Sequence, residues 1–175
     1  MRYHASLILL HWLSALFIFA TFLIGVFVLV PMPDNPVKLL PLWAHMLLGL
    51  GILIITVARY TIRVRTLKPL RKVKNPLAKK KPLIVTMAEP VQLLLYLFTI
   101  LMSLSGTGLA LQAGLFADTQ AIPADFYAFP LRTVHGTIST ILFVLIVLHL
   151  LTWVYYQFLR GENALAWMWF RRRKP

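Results

Sequence analysis

Residues 133–156 read TVHGTISTILFVLIVLHLLTWVYY, Thr133 to Tyr156. The stretch is apolar and of membrane-spanning length, and it carries two histidines, His135 and His149, fourteen residues apart. At 100° per residue, fourteen steps end about 40° short of closure, and at 1.5 Å per residue they advance about 21 Å. Both imidazoles therefore leave the helix on roughly one face, separated by most of a hydrocarbon core about 30 Å thick. One helix offers a nitrogen donor near each side of a bilayer. The rest of the chain is read for partners to these two donors.

Composition narrows the class. The chain has 175 residues, enough for one domain; 59% are hydrophobic and only 13% are charged. Mean hydropathy is +0.77. A soluble domain of this size cannot cover that much apolar surface, so an integral membrane protein is expected. There is no cysteine, which excludes disulfides, zinc–thiolate sites, iron–sulfur clusters and covalently attached haem of the c type. The net charge of +13 raises the question of nucleic acid. The cations cluster beside apolar runs, however, where they read as a topology signal and as attraction to anionic lipid head groups; no nucleic-acid partner is expected.

Working outward, three more spans precede the last one. Residues 5–30 form the first, interrupted only by small polar residues and His11. A signal peptide competes for this run, but it is longer than a usual hydrophobic region and no A-x-A site follows. PMPDNPVKLLP, residues 31–41, holds four prolines and reads as a loop. The second span is about 42–62, with His45, Gly49, Gly51 and Arg59. Residues 63–81 carry nine cations and no acid, which by the positive-inside rule places them in the cytoplasm. The third span, about 87–113, has Glu89 and Pro90 at its start, Ser103, Ser105, Gly106 and Gly108 in its outer half, and no histidine. Pro90 is expected in a first turn, where it is tolerated. The small residues suit close helix contact. After an outer loop, 114–130, the fourth span covers about 131–159. Residues 162–172, with Trp167, Trp169 and Phe170 beside the cations from Arg171, read as a short interfacial helix. The expectation is an all-α membrane protein, a single domain over residues 1–175. Four transmembrane helices enclose a cofactor site, and both termini are cytoplasmic.

Four of the five histidines lie inside these spans; His4 sits near the interface. Ionisable groups within membrane helices point to function by default. Counting from the span ends puts His11 and His149 near the inner surface and His45 and His135 near the outer one. An antiparallel bundle can bring each pair face to face across a cofactor. Two neutral imidazoles on opposite sides of a planar site are what low-spin haem b requires. Six-coordinate iron has no open position, so such a site carries electrons. The reading is two haem b groups, the inner held by His11 and His149 and the outer by His45 and His135. Gly49 and Gly136, beside His45 and His135, would let a macrocycle lie close. Arg59, fourteen residues after His45, reaches the inner depth and suits a haem propionate. Lys38 and Arg132 could do the same for the outer haem or draw in an anionic substrate.

The sequence resembles the bacterial cytochrome b561 family over essentially its whole length. The resemblance is carried by LLHWL (9–13), HMLLG (45–49), VARYTIR (57–63), LLLYL (93–97), RTVHGT (132–137) with the His135/His149 spacing, and GENALAWMW (161–169). It implies a bacterial inner-membrane, four-helix, two-haem cytochrome whose ligands fall on His11, His45, His135 and His149. Family members are electron carriers between quinone and a redox partner, and one branch is similar to a superoxide oxidase that takes an electron from periplasmic superoxide and reduces ubiquinone. The sequence departs at span 3. Many relatives have a further histidine four residues before the tyrosine, where Gln92 precedes Tyr96 here. Two other readings stay open: the haem-bearing membrane subunit of a hydrogenase- or formate-dehydrogenase-like complex, and a haem-free scaffold or transporter whose histidines relay protons. The second predicts a colourless protein.

Overall fold

The structure is a computed structural model that describes residues 5–66, 83–116 and 126–161. His4, most of the basic segment after Thr66, Asp118 and Asp125 of the outer loop and the expected interfacial helix at 162–172 lie outside the described residues. Helix α1 spans Ala5–Leu23 and continues as a π-helical turn, Ile24–Leu29. A 3₁₀ turn, Pro36–Lys38, leads into α2, Leu39–Thr66. Helix α3 spans Leu83–Gln112. A second 3₁₀ turn, Phe126–Ala128, precedes α4, Pro130–Val154, which ends in another π-helical turn, Tyr155–Leu159. No strand occurs among the described residues. All four helices are long and apolar enough to cross a membrane. The protein is an all-α, multi-pass membrane protein.

The helices run antiparallel in chain order, as paired contacts show. Between α2 and α3, Arg63 bonds Gln92, Tyr60 meets Tyr96, and Gly49 accepts from Ser103. Between α3 and α4, Ser105 meets His135 and Gly108 approaches Leu131. One number falls as its partner rises, the mark of antiparallel packing. The backbone of α4 lies along α3 and stands off from α1 and α2. Histidines face across that gap.

Large apolar side chains such as Leu16, Phe19, Leu47, Ile54 and Leu93 point outward and are exposed, as lipid-facing residues must be. Hydroxyls along the helices bond one turn back, as in Thr21 to the Phe17 carbonyl and Thr152 to that of Leu148. That satisfies them without water. A compact apolar cluster, Leu109, Ala110, Ala113, Leu115 and Phe126 with Leu39, Leu42, Met46, Phe129 and Leu131 packed on it, closes the end of the bundle far from the termini. That end is called distal below, and the end at which α1 begins is called proximal.

Two expectations from the sequence are corrected. Residues 36–41 are helical, not loop: Asn35 Oδ1 accepts from the Val37 amide at 3.1 Å, and Pro36 takes the first helical position. Pro41 then falls in the first turn of α2, where a missing N–H costs nothing. Pro90 is not at a helix start, because α3 begins seven residues earlier at Leu83 and Pro90 lies inside it. The ends of α3 and of the α4 π-turn are set by Gly114 and Gly161, whose positive φ of 67° and 64° no branched residue adopts readily. After Gly114 turns, the Leu115 amide bonds the Ala110 carbonyl at 3.1 Å.

Candidate functional site

The four membrane histidines meet in two pairs. His11 of α1 and His149 of α4 have ring centroids 6.2 Å apart with planes crossed at 70°. His45 of α2 and His135 of α4 stand 6.3 Å apart with planes crossed at 69°. Depth counting had expected these partners. Neither pair is hydrogen-bonded internally: an N–H···N bond of about 2.9 Å would bring the ring centres to about 5 Å. Metal–imidazole bonds of about 2.0–2.1 Å, with each ring centre about 1.1 Å behind its nitrogen, give about 6.3 Å. Both separations fit two axial imidazoles sharing one metal.

The donor set points the same way. Among the described residues, no three His, Cys, Asp or Glu side chains gather to hold a bare metal ion. Two imidazoles alone do not make a tetrahedral zinc site. They do complete the coordination of an iron whose other four nitrogens come from a tetrapyrrole. A Cβ added at Gly49 or Gly136 would meet no heavy atom within 4 Å, so there is room beside His45 and His135 for a flat group to approach.

The distal rings are seated by residues that sequence reading did not assign. A Cβ on Gly25, in the π-turn after α1, would lie 3.1 Å from His45 Cε1. A Cβ on Gly106 of α3 would lie 3.0 Å from His135 Cε1. Each imidazole therefore rests against a helix backbone at a glycine notch. Ser105 Oγ lies 2.9 Å from His135 Nδ1 and donates its own hydrogen to the Met102 carbonyl, also at 2.9 Å. With that hydrogen committed, the serine oxygen accepts from Nδ1–H. The proton on Nδ1 leaves the His135 lone pair on Nε2, the tautomer a metal ligand needs. His45 Nδ1 is buried and faces the Thr21 backbone without meeting hydrogen-bond geometry. Depth was the signal available: Gly25 and Gly106 sit at the level of the outer histidines, and Gly106 belongs with Ser103, Ser105 and Gly108 to the small residues of span 3.

The proximal pair has different surroundings. His11 lies edge-on to Trp12, with centroids 5.6 Å apart, and its Nδ1 is buried without a partner. Arg59 is close enough to act electrostatically on both His11 and His149. Its guanidinium also stands 5.5 Å from the centre of the Tyr96 ring, and Arg63 stands 5.7 Å from the same ring while bonding Gln92 Oε1 at 2.9 Å. Gln92 is thus tied to Arg63.

Of the two distal cations, Arg132 stands in electrostatic reach of His45 and His135. Lys38, expected to meet an anion, is buried and held by Asp34 at 2.7 Å and by the Met32 carbonyl at 2.8 Å. The four-residue step from Asp34 crosses Asn35 and Pro36, where a capped turn brings the two charges together. The ammonium fastens the connection between α1 and α2.

With this geometry established, comparison with known proteins adds one finding. The family model described as prokaryotic cytochrome b561 matches residues 2–171. No curated protein matches the chain.

Proposed function

The chain belongs to the prokaryotic cytochrome b561 family, and on that premise we propose that it holds two haem b groups and carries single electrons between the two faces of a bacterial inner membrane. The family makes it a membrane b-type cytochrome in electron transfer. The observation that carries the finer reading is the pair of histidine couples with matched separations, 6.2 and 6.3 Å.

In this reading His11 and His149 hold the proximal haem and His45 and His135 the distal one. Haem b bound by two imidazoles supplies a ferric/ferrous couple with no open coordination position. The protein's part is to fix the imidazoles, exclude water and set charge. Ser105 holds the His135 tautomer, and Gly25 and Gly106 let the rings seat. Arg59 and Arg132 place one cation at each site, suited to haem propionates. Gly49 and Gly136 border the space in which a macrocycle would lie.

The cations favour the proximal end in the cytoplasm: Arg63 and Arg65 end α2 there, and the basic segment follows. The electron donor then meets the distal, periplasmic face and the acceptor is membrane quinone. Arg132 suits an anionic one-electron donor, for which superoxide is our first candidate. Two superoxide ions, each losing one electron to become dioxygen, would reduce one ubiquinone to ubiquinol with uptake of two protons.

The visible spectrum of the purified protein tests the haems. Wild type is expected to bind two haems per chain; His45→Ala or His135→Ala should retain one, and His11→Ala or His149→Ala the other. A colourless protein would sink the reading. A superoxide pulse that leaves the oxidised haems unreduced, with or without quinone, would remove superoxide and leave the cytochrome.

A further inference from the structure

Between the histidine pairs, α1 and α4 meet through two stacked rings. Phe22 of α1 and Phe143 of α4 have centroids 5.5 Å apart and planes within 10° of parallel. On α1, Phe22 lies eleven residues after His11 and three before Gly25, the glycine against which His45 rests. Eleven steps of 100° return to within about 20° of the starting direction, so Phe22 shares the helix face of His11. On α4, Phe143 lies eight residues after His135 and six before His149. Those steps are about 12 Å and about 9 Å along the axis. On both helices the stack falls between the two sites.

The surroundings give it weight. The α4 backbone stands off from α1, so side chains must close that seam. The same stretch of α1 sends Phe17 against α2, where a Cβ on Gly51 would lie 3.1 Å from its ring. The middle of α1 is thus clamped by aromatic contacts to helices on either side, while each end carries a histidine site.

We propose that Phe22 and Phe143 are positioning residues for electron transfer between the two haems: the stack fixes the distance between the sites. This rests on the two-haem reading. With both haems bound, one electron would pass from the distal site to the proximal one, oxidising the first and reducing the second. No bond forms or breaks and no proton moves. Electron tunnelling weakens steeply with distance, and more steeply through a void than through packed atoms. Phe143 is 49% exposed, so the flat aromatic pair serves the transfer by holding α1 and α4 in register. A leucine in place of either ring loses that stacked contact without removing a haem ligand.

The experiment uses the full-length, haem-loaded protein in lipid nanodiscs. Phe22→Leu, Phe143→Leu, the double variant and Phe143→Trp are compared with wild type. Haem content and midpoint potentials are measured first. Redistribution of an electron between the haems is then followed after flash reduction by a soluble photoreductant. The leucine variants should keep two haems at unchanged potentials and redistribute the electron several-fold more slowly, the double variant slowest. Phe143→Trp, which retains a ring, should stay near the wild-type rate. Wild-type rates in the leucine variants overturn the proposal. Loss of a haem from them also overturns it, because the stack would then support a site and not the path. Wild type with fewer than two haems overturns the two-haem reading itself, before any variant is compared.

Discussion

The two histidine pairs have nearly the same geometry and are held by different means. Centroid separations of 6.2 and 6.3 Å and plane angles of 70° and 69° agree closely. At the distal pair, packing sets the rings: two glycine notches, the Ser105 hydroxyl and the apolar cluster at that end of the bundle. At the proximal pair, His11 makes an edge contact with Trp12, and no glycine notch or hydroxyl seats the rings among the described residues. Two independent local solutions that converge on one separation are hard to explain as accidents of packing. They are expected if each pair must span the same coordination distance.

The most severe way to break the comparison acts on what the pairs share. Both take one imidazole from α4, so a residue inserted between Phe143 and Val144 rotates His149 by about 100° relative to His135. The shift also carries one histidine past its partner by about 1.5 Å. We expect loss of at least one haem, measured as haem per chain in the purified variant. Retention of both would show that the sites do not depend on a continuous α4.

The next test separates the sites. Gly25→Ala and Gly106→Ala each place a methyl carbon 3.1 or 3.0 Å from an imidazole carbon, so close that the ring must give by a few tenths of an ångström. Neither ring has a flexible end to move aside. Overpacking of this kind costs about 1–3 kcal/mol, or about 5- to 150-fold in affinity for the distal haem. The proximal haem should be retained at full occupancy. Equal loss from both sites in haem titration would mean that the glycines serve the bundle as a whole.

Much of this was legible in the sequence because a membrane converts residue number into depth. The bilayer thickness and the helix rise fix where each histidine lies, and the pairing of His11 with His149 and His45 with His135 follows. Contacts between helices were not legible in the same way. Gly49 and Gly136 drew attention because they neighbour histidines on the same helix, yet the glycines that touch the rings, Gly25 and Gly106, belong to neighbouring helices. Interhelical register decides that, and periodicity within one helix says nothing about it. Lys38 illustrates the local version of the problem. Its prolines read as loop, but the Asn35 cap and Pro36 at the first helical position turn the segment into helix and deliver the ammonium to Asp34. The pattern was present as Asn–Pro before an apolar run, and the density of prolines masked it.

The finest distinction between the sites is one hydrogen bond. Ser105 accepts from His135 Nδ1–H, whereas Nδ1 of His11, like that of His45, has no hydrogen-bond partner. A bond accepted from the far nitrogen makes a ligating imidazole more electron-rich, and this favours the ferric state. Ser105→Ala removes the hydroxyl acceptor while leaving the Met102 carbonyl and the Gly106 notch beside the ring. Bonds of this kind contribute about 0.5–1.5 kcal/mol, which corresponds to about 20–65 mV for a one-electron couple. Only the difference in the bond between ferric and ferrous states moves the potential, so the distal midpoint potential should rise by up to that amount, with both haems retained and the proximal potential unmoved. A potentiometric titration resolves the two. An unchanged distal potential would mean that Ser105 orients His135 without tuning its basicity, and the electronic difference between the sites would then rest on Arg59 and Arg132 alone.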